Sequence, residues 1–169
     1  TPLYSSAASD VYKRQIISKT GPLHNYADRD HCLQYMIAIA LIYGEVEAKH
    51  YQDKIASNSM IDLLREKMVI SENPKFSSDY LDPTKRSIAN SITLVFDDGS
   101  KSEKITVEYP VGHRNRREEG IPLLLDKFEA AIKSYYPRNQ SDDILNSFLD
   151  MESLSSMSVN EMMDKLIIK

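Results

Sequence analysis

Two alternating segments on either side of an Asp-Gly dipeptide constrain the fold of this chain more than any other feature of its sequence. Residues 91–96 and 105–109 place apolar side chains at every second position, and Asp98-Gly99 lies between them. This dipeptide is typical of tight turns between antiparallel strands, so the pattern predicts a β-hairpin with one apolar face against a core. Because two strands alone are only marginally stable, the hairpin needs further elements beside it. Its apolar positions are Ile92, Leu94, Phe96, Ile105, Val107 and Tyr109.

Helical patterns precede and follow the hairpin, and the predicted fold class is therefore α+β. Residues 28–43 predict a mostly buried helix, because the segment is apolar nearly all round after its polar first turn, with Asp28 as its cap and Gly44 at its end. A stripe at helical spacing runs through 121–135, where Pro122 suits the first turn. The residues expected to be buried are Leu33, Met36, Ile37, Ala40 and Leu41 in the first helix, and Leu124, Leu125, Phe128, Ala131 and Ile132 in the second.

Shorter elements fill the remaining chain. We predict an extended piece at 68–71 and a loop over 71–83, because Pro74 and Pro83 interrupt any regular pattern there. Further helices are predicted at 46–56, 60–68, 141–149 and 159–166. The sequence shows no internal repeat and no long linker.

The composition excludes several classes of protein. The chain has 169 residues, 41% of them hydrophobic, which is enough for one globular domain. Its one cysteine, Cys32, cannot form a disulfide within the chain or supply a set of thiolate ligands, and its apolar surroundings indicate packing. The net charge of −4 does not favour nucleic-acid binding, and the longest apolar stretch, 36–43, is too short to cross a membrane. We therefore expect a cytoplasmic protein without nucleic-acid or membrane partners.

The first residues do not share the patterns of the rest. Thr1–Gln15 has no apolar period, and residues 5–15 resemble the in-frame translation of an adapter used to prepare sequencing libraries. We expect residues 1–15 to be a non-native arm that is disordered and packs against nothing. We also expect the native protein to extend upstream of Ile16, which makes this chain a fragment.

A polar edge on the first predicted helix is the leading candidate for chemistry. Asp28, His31 and Tyr35 lie at helical spacing, with Gln34 beside them, in a segment that is otherwise apolar. Buried polar groups need internal partners or a cleft to line, and a histidine in a cleft suits proton transfer or carboxylate binding. Spacing alone favours a histidine held in the core and an aspartate that caps the helix.

A basic run, from His113 to Arg117, is the second candidate. Arginine binds carboxylates through two parallel hydrogen bonds, and cations before a helix oppose the helix dipole, so local stability does not explain their placement. A solvated loop balanced by Glu118 and Glu119 is the simpler interpretation, and the sequence alone favours it. The spacing of histidine, cysteine and acidic residues predicts no metal site.

Several collinear motifs resemble the MmgE/PrpD family. The most specific are ADRDHCLQYM at 27–36 and EYPVGH at 108–113, which resemble the dehydratase branch, and the similarity runs from 16 to 168. Further matching motifs lie at 21–23, 62–67, 82–90, 120–122, 126–128 and 159–161.

The resemblance implies a hydro-lyase of propionate catabolism that dehydrates 2-methylcitrate to 2-methyl-cis-aconitate without a metal or other cofactor. It implies a small tricarboxylate substrate and a cytoplasmic homodimer. Members of the family have a large all-helical domain and a smaller α+β lid. Residues 16–118 would be the later part of the lid, and 119–169 would be helices that rejoin the helical domain. Since most acid and base groups of the family would lie upstream, we expect the fragment alone to be inactive.

The resemblance also assigns roles to the two polar groups. The expected catalytic residues are His31, Tyr35 and Asp28, and the expected substrate-binding residues are Arg29, Gln34, His113, Arg114, Arg116 and Arg117. Two alternatives remain open. The same scaffold could carry another reaction, such as decarboxylation of cis-aconitate, the interconversion of citrate and aconitate by a hydratase, or an epimerisation. The fragment could also be a non-catalytic oligomerisation module.

Overall fold

The structure, a computed structural model, describes the backbone of residues 2–168 and the side chains of residues 9, 10 and 14–168. It divides the chain into two compact units, Thr1–Pro110 and Val111–Lys169. The division falls before the boundary predicted at 118, because the basic run of 113–117 belongs to the helical unit. Strands occur in the first unit and helices in both, which confirms the α+β class.

A four-stranded sheet organises the first unit. Its strands are β1 (Pro2–Ser9), β2 (Met68–Glu72), β3 (Asn90–Phe96) and β4 (Ile105–Val107). They lie in the order β2-β1-β3-β4. β1 pairs in parallel with β2 and antiparallel with β3, and β3 pairs antiparallel with β4. The predicted hairpin is therefore present as β3 and β4, and the extended piece at 68–71 is β2.

The buried face of the hairpin is not the predicted one. Ser91 and Val95 are the buried residues of β3, whereas Ile105 and Val107 of β4 are exposed. The alternation in β3 predicts the wrong buried face, because β3 also has an apolar residue, Val95, on the face opposite Leu94. Either face of this strand could therefore pack against a core.

β1 contradicts the prediction for the first fifteen residues. Its backbone lies between β2 and β3, and Ser9 and Asp10 are fully buried. The Asn73 N–H donates to the Ser9 carbonyl at 2.9 Å, and the Ser9 hydroxyl donates to Asn90 Oδ1 at 2.9 Å. Strand pairing uses the main chain, so the lack of an apolar period did not exclude a strand. The adapter-like origin of the segment stays a prediction, and Thr1 lies outside the described residues.

Helices fill the connections between the strands. They are α1 (Val11–Ile17), α2 (Tyr26–Asp30), α3 (Leu33–Tyr43), α4 (Asp53–Ala56), α5 (Ser59–Glu66) and α6 (Pro74–Leu81), with a 3₁₀ turn at Ala48–Tyr51. α6 lies where a loop was predicted. Asn73 caps it by accepting from the Lys75 N–H at 3.0 Å, and Pro74 is its first residue. A proline at that position favours a helix, because the N–H it lacks would have no partner there.

The core of the first unit forms around α3 and α5. Its fully or almost fully buried residues are Cys32, Tyr35, Ala38, Ile39 and Ile61. The predicted buried face of α3 was wrong, because Ala40 and Leu41 are exposed while Gln34 and Tyr35 are buried. A helix that is apolar almost all round gives no period from which to choose a face. The packing of Cys32 is confirmed.

The second unit is helical. Its elements are a 3₁₀ turn at Arg114–Arg116, α7 (Arg117–Tyr135), α8 (Arg138–Leu149), α9 (Met151–Ser156) and α10 (Val159–Leu166). Ile144 and Leu145 of α8 are buried, and the rings of Phe128 and Phe148 lie 5.8 Å apart. Gly120, in the first turn of α7, lies close to the chain that precedes the helix, because a Cβ atom there would lie 2.3 Å from the Val111 carbonyl oxygen.

The expected stripe of α7 is contradicted. Leu124 is 64% exposed, Leu125 and Ala131 are also exposed, and no residue of this helix is buried by the part of the chain that the structure describes. The helix also begins at Arg117, so Pro122 lies beyond the first turn.

Candidate active site

A break between α2 and α3 replaces the single helix predicted over 28–43. Asn25 caps α2 by accepting from the Asp28 N–H at 2.9 Å, so Asp28 is not the cap. His31 ends α2 at φ −105° and ψ 29°, and the extended Cys32 precedes α3. Helical spacing does not hold across this break, so residues on either side do not share a face.

Asp28 lies against the chain that precedes α2. Its carboxylate accepts from the His24 N–H at 3.2 Å and from Lys19 Nζ at 3.4 Å. The His24 hydrogen bond lowers the pKa of Asp28, and Lys19 lowers it further. The carboxylate is therefore a charged anchor for this loop.

Tyr35 is part of the core. Its hydroxyl donates to the His50 carbonyl oxygen at 2.7 Å, and its ring stacks on Tyr51 with centroids 5.9 Å apart. Burial raises the pKa of Tyr35 and keeps the hydroxyl protonated as a donor. Asp28, His31 and Tyr35 thus have different partners, and the structure does not assemble them as the predicted group.

His31 remains accessible. Its side chain is 60% exposed, and its Nδ1 lies 2.5 Å from Asp30 Oδ1. Sequence spacing did not indicate Asp30, because adjacent residues of a helix do not face each other. Spacing alone favoured a core position for His31, and the structure does not show one. The histidine in the core of this unit is His50, which is buried.

Arg29 lies beside this pair in the chain but is nearly buried. Its side chain is 7% exposed, and Nη1 lies 2.7 Å from both the Tyr51 carbonyl oxygen and Asp53 Oδ1. Its Nε is buried and has no hydrogen-bond partner among the described residues. Arg29 also lines a cavity of about 360 Å³ together with His24 and Tyr26. This guanidinium can support the fold and still face a carboxylate in the cavity.

Gln34 lines a different cavity, of about 350 Å³, with Lys19 and Arg65. Its amide donates to Ser18 Oγ at 3.2 Å and accepts from Cys32 Sγ at 3.6 Å. These bonds fix the orientation of the amide. The structure thus places Arg29 and Gln34 at separate cavities.

The basic run lies in the second unit and is partly neutralised. Arg116 forms a two-pronged pair with Glu119, with Nε–Oε2 at 2.9 Å and Nη2–Oε1 at 2.5 Å. The pair lowers the pKa of Glu119. His113 caps the 3₁₀ turn, its Nδ1 accepting from the Asn115 N–H at 3.1 Å. Charge balance by Glu119 agrees with the simpler interpretation of the run.

Two arginines of the run have more open surroundings. Arg114 is exposed, and Arg117 lines a cavity of about 660 Å³ with Leu124 and Lys127. Two cations beside leucines can hold an anionic group with an apolar edge.

Other kinds of site find little support in the described residues. Within them, no three histidine, cysteine or acidic side chains are grouped so that they could hold a metal ion. In the same part of the chain, no helix combines the length and apolar character that crossing a membrane requires.

Comparison with known families identifies the chain. The profile described as the MmgE/PrpD C-terminal domain matches residues 10–151. The chain belongs to the MmgE/PrpD family. The MmgE/PrpD match includes both units and the break that carries His31, and it begins after Ser9.

Individual MmgE/PrpD relatives are similar over almost the whole chain. A 2-methylcitrate dehydratase of Escherichia coli K12 is 50% identical over 154 residues, which are 91% of this chain and 32% of the relative. A 2-methylcitrate dehydratase of Cupriavidus necator is 47% identical over the same shares. A mitochondrial 2-methylcitrate dehydratase of Yarrowia lipolytica is 47% identical over 92% of this chain and 29% of its own length. The chain thus spans about a third of these relatives.

Proposed function

We propose that this chain is the C-terminal part of a hydro-lyase that converts 2-methylcitrate to 2-methyl-cis-aconitate and water. The observation that carries the proposal is the 50% identity to a 2-methylcitrate dehydratase over 91% of the chain. The reaction needs a base for the carbon-bound proton, an acid for the leaving hydroxyl, and cations for the carboxylates.

His31 is the proposed acid or base of this chain. In the elimination, a base takes the proton from carbon, the C–H electron pair becomes the double bond, and the hydroxyl leaves as water after it receives a proton. The imidazole of His31 can perform either proton transfer because it is accessible. Tyr35 and Asp28, which the sequence also placed in this role, support the proposal only as parts of the surrounding scaffold.

Arg29 and Arg117 are the proposed carboxylate contacts best supported by geometry, since each lines a cavity. Arg114 and Arg116 would add to the attraction of a trianionic substrate over a longer range. Gln34 and His113, whose hydrogen bonds are with the protein itself, would contribute orientation.

Activity of the full-length protein tests the function. Purified full-length enzyme should convert 2-methylcitrate to a product with a conjugated double bond, followed by ultraviolet absorbance. His31→Asn should lower kcat/KM at least about tenfold, because a positioned acid or base contributes roughly 10²–10⁴ in rate. Replacement of Arg114, Arg116 and Arg117 by glutamine should raise KM and weaken its dependence on salt. Full activity of His31→Asn would remove His31 from the mechanism, and turnover of cis-aconitate alone would reassign the reaction.

Assembly and location belong to the same proposal. We infer a cytoplasmic homodimer for the full-length enzyme. We also infer no activity for the 169-residue chain alone, because the chain spans 32% of the length of a relative named 2-methylcitrate dehydratase. Assaying the chain beside the full-length protein tests the second point, and sedimentation of the full-length protein tests the first.

A further inference from the structure

The contact between His31 and Asp30 differs from the contacts of two other histidines. At His50 and His113, Nδ1 accepts a hydrogen bond from a backbone N–H, at 2.9 Å from Glu47 and 3.1 Å from Asn115. At His31, Nδ1 faces a carboxylate oxygen at 2.5 Å. A carboxylate accepts and does not donate, so the neutral His31 ring carries its proton on Nδ1. The neutral rings of His50 and His113 carry their proton on Nε2, because their Nδ1 atoms accept hydrogen bonds.

We propose that Asp30 is the positioning residue of His31: its carboxylate holds the imidazole with Nδ1–H bound and the Nε2 lone pair directed away from the pair. This inference rests on the proposed function, in which His31 exchanges a proton with the substrate.

The break between α2 and α3 makes the pair possible. Within a continuous helix, side chains of adjacent residues point in directions about 100° apart and do not meet. Asp30 is the last residue of α2, and His31 leaves the helix at φ −105° and ψ 29°. Cys32, which is fully buried, fixes the chain on the other side of the break. The backbone therefore holds the two side chains together on the surface.

Asp28, the residue that sequence spacing placed beside His31, does not take the place of Asp30 as the partner of the imidazole. Its oxygens accept from the His24 N–H and from Lys19 Nζ. The two aspartates are close in sequence and differ in their partners. They therefore form a matched pair of variants.

The first experiment measures the tautomer of His31 in the 169-residue chain. Long-range ¹H–¹⁵N correlation spectra of histidine-labelled protein are recorded at a pH where the ring is neutral. We expect an Nδ1–H signature for His31 and Nε2–H signatures for His50 and His113. Asp30→Ala should shift His31 toward Nε2–H, Asp30→Glu should retain part of the Nδ1–H form, and Asp28→Ala should leave the His31 tautomer unchanged. An Nε2–H signature for His31 in the unmodified chain, or an equal response to Asp28→Ala, would overturn the proposal.

The second experiment uses the full-length enzyme with 2-methylcitrate. Asp30→Ala should lower kcat at least about tenfold with little change in KM, and Asp30→Glu should recover part of the loss. A changed tautomer with unchanged kcat would show that the pair does not serve the reaction. Inactivity of the unmodified full-length enzyme on 2-methylcitrate would contradict the proposed function itself. The tautomer result would then still decide whether Asp30 positions the ring.

Discussion

The two units of the molecule bury their apolar residues to very different extents. In the first unit, Tyr35, Ile39 and Ile61 are removed from water by helices within the same unit. In the second, the 19-residue α7 buries none of its residues within the described chain, and Leu124 is 64% exposed. Burial of apolar surface stabilises a fold by about 25 cal/mol per Å². The first unit therefore carries its own core, and we propose that the second obtains most of its apolar burial from the remainder of the full-length protein.

The largest expected effect tests the core of the first unit. Ile39→Ala should lower the free energy of unfolding by about 2–5 kcal/mol, because a fully buried side chain leaves a cavity. Urea denaturation, read through hydrogen exchange of α3 amides, measures the change. Leu41→Ala, on the exposed side of the same helix, is the control and should cost much less. Equal losses from the two variants would remove the contrast between the units.

The exposed stripe of α7 is tested by one variant in two proteins. Leu124→Ala should change the unfolding free energy of the 169-residue chain by less than about 0.5 kcal/mol, as at other exposed positions. In the full-length protein it should cost roughly 1.5–3 kcal/mol, the value of burying a leucine side chain. Denaturation curves of both proteins give the comparison. A small effect in both would mean that the stripe stays exposed.

A smaller and pH-dependent effect is expected at Asp79 of the first unit. Its side chain is 9% exposed and pairs with Lys75 and with Lys85, the latter at 2.6 Å. The two lysines lower the pKa of Asp79. Its stabilising effect is therefore present above the pKa of an unfolded aspartate and is lost as the pH falls through the lower folded value. Asp79→Asn should destabilise the chain at neutral pH and not in strong acid.

Thermal unfolding across pH, beside the exposed Asp142→Asn as a control, measures this dependence. A constant difference between Asp79→Asn and the unmodified chain at every pH would contradict an electrostatic origin.

The smallest effect is expected for the ion pair at the start of α7. Arg116→Gln should cost about 0–1 kcal/mol and less at high salt, because its partner Glu119 is exposed. Denaturation at low and high salt measures the difference. A larger, salt-independent loss would mean that the second unit depends on this pair more than on burial.

The sequence predicted the elements whose signals are local. Asp98-Gly99 between alternating segments gave the hairpin, and Ser158 before an apolar period gave α10, whose bounds were confirmed at Val159–Leu166. The segment that forms α6 contains a start signal for a helix in Asn73-Pro74, but Pro74 and Pro83 also interrupt regular patterns, and the sequence therefore predicts a loop there.

The break that carries the candidate site could not be predicted in the same way. Neither residue at the break, His31 or Cys32, is a glycine or proline, which are the residues that usually signal the end of a helix. The apolar pattern also continues past them. The break depends on the cap at Asn25 and on the burial of Cys32, which only the folded chain shows. The residue type alone marks His31 as a candidate for proton transfer. Its partner Asp30 can be recognised only from the path of the backbone at the break.

Gly120 limits how the sequence of this chain can vary. A side chain there would begin 2.3 Å from the Val111 carbonyl oxygen, which belongs to the backbone and has little room to retreat. At Gly112 no heavy atom lies within 4 Å of the corresponding point. A library that randomises both positions and selects for folded protein should therefore return glycine at 120 and a mixture of residues at 112. The close approach of the first turn of α7 to the preceding chain therefore restricts which residue evolution can place at this position.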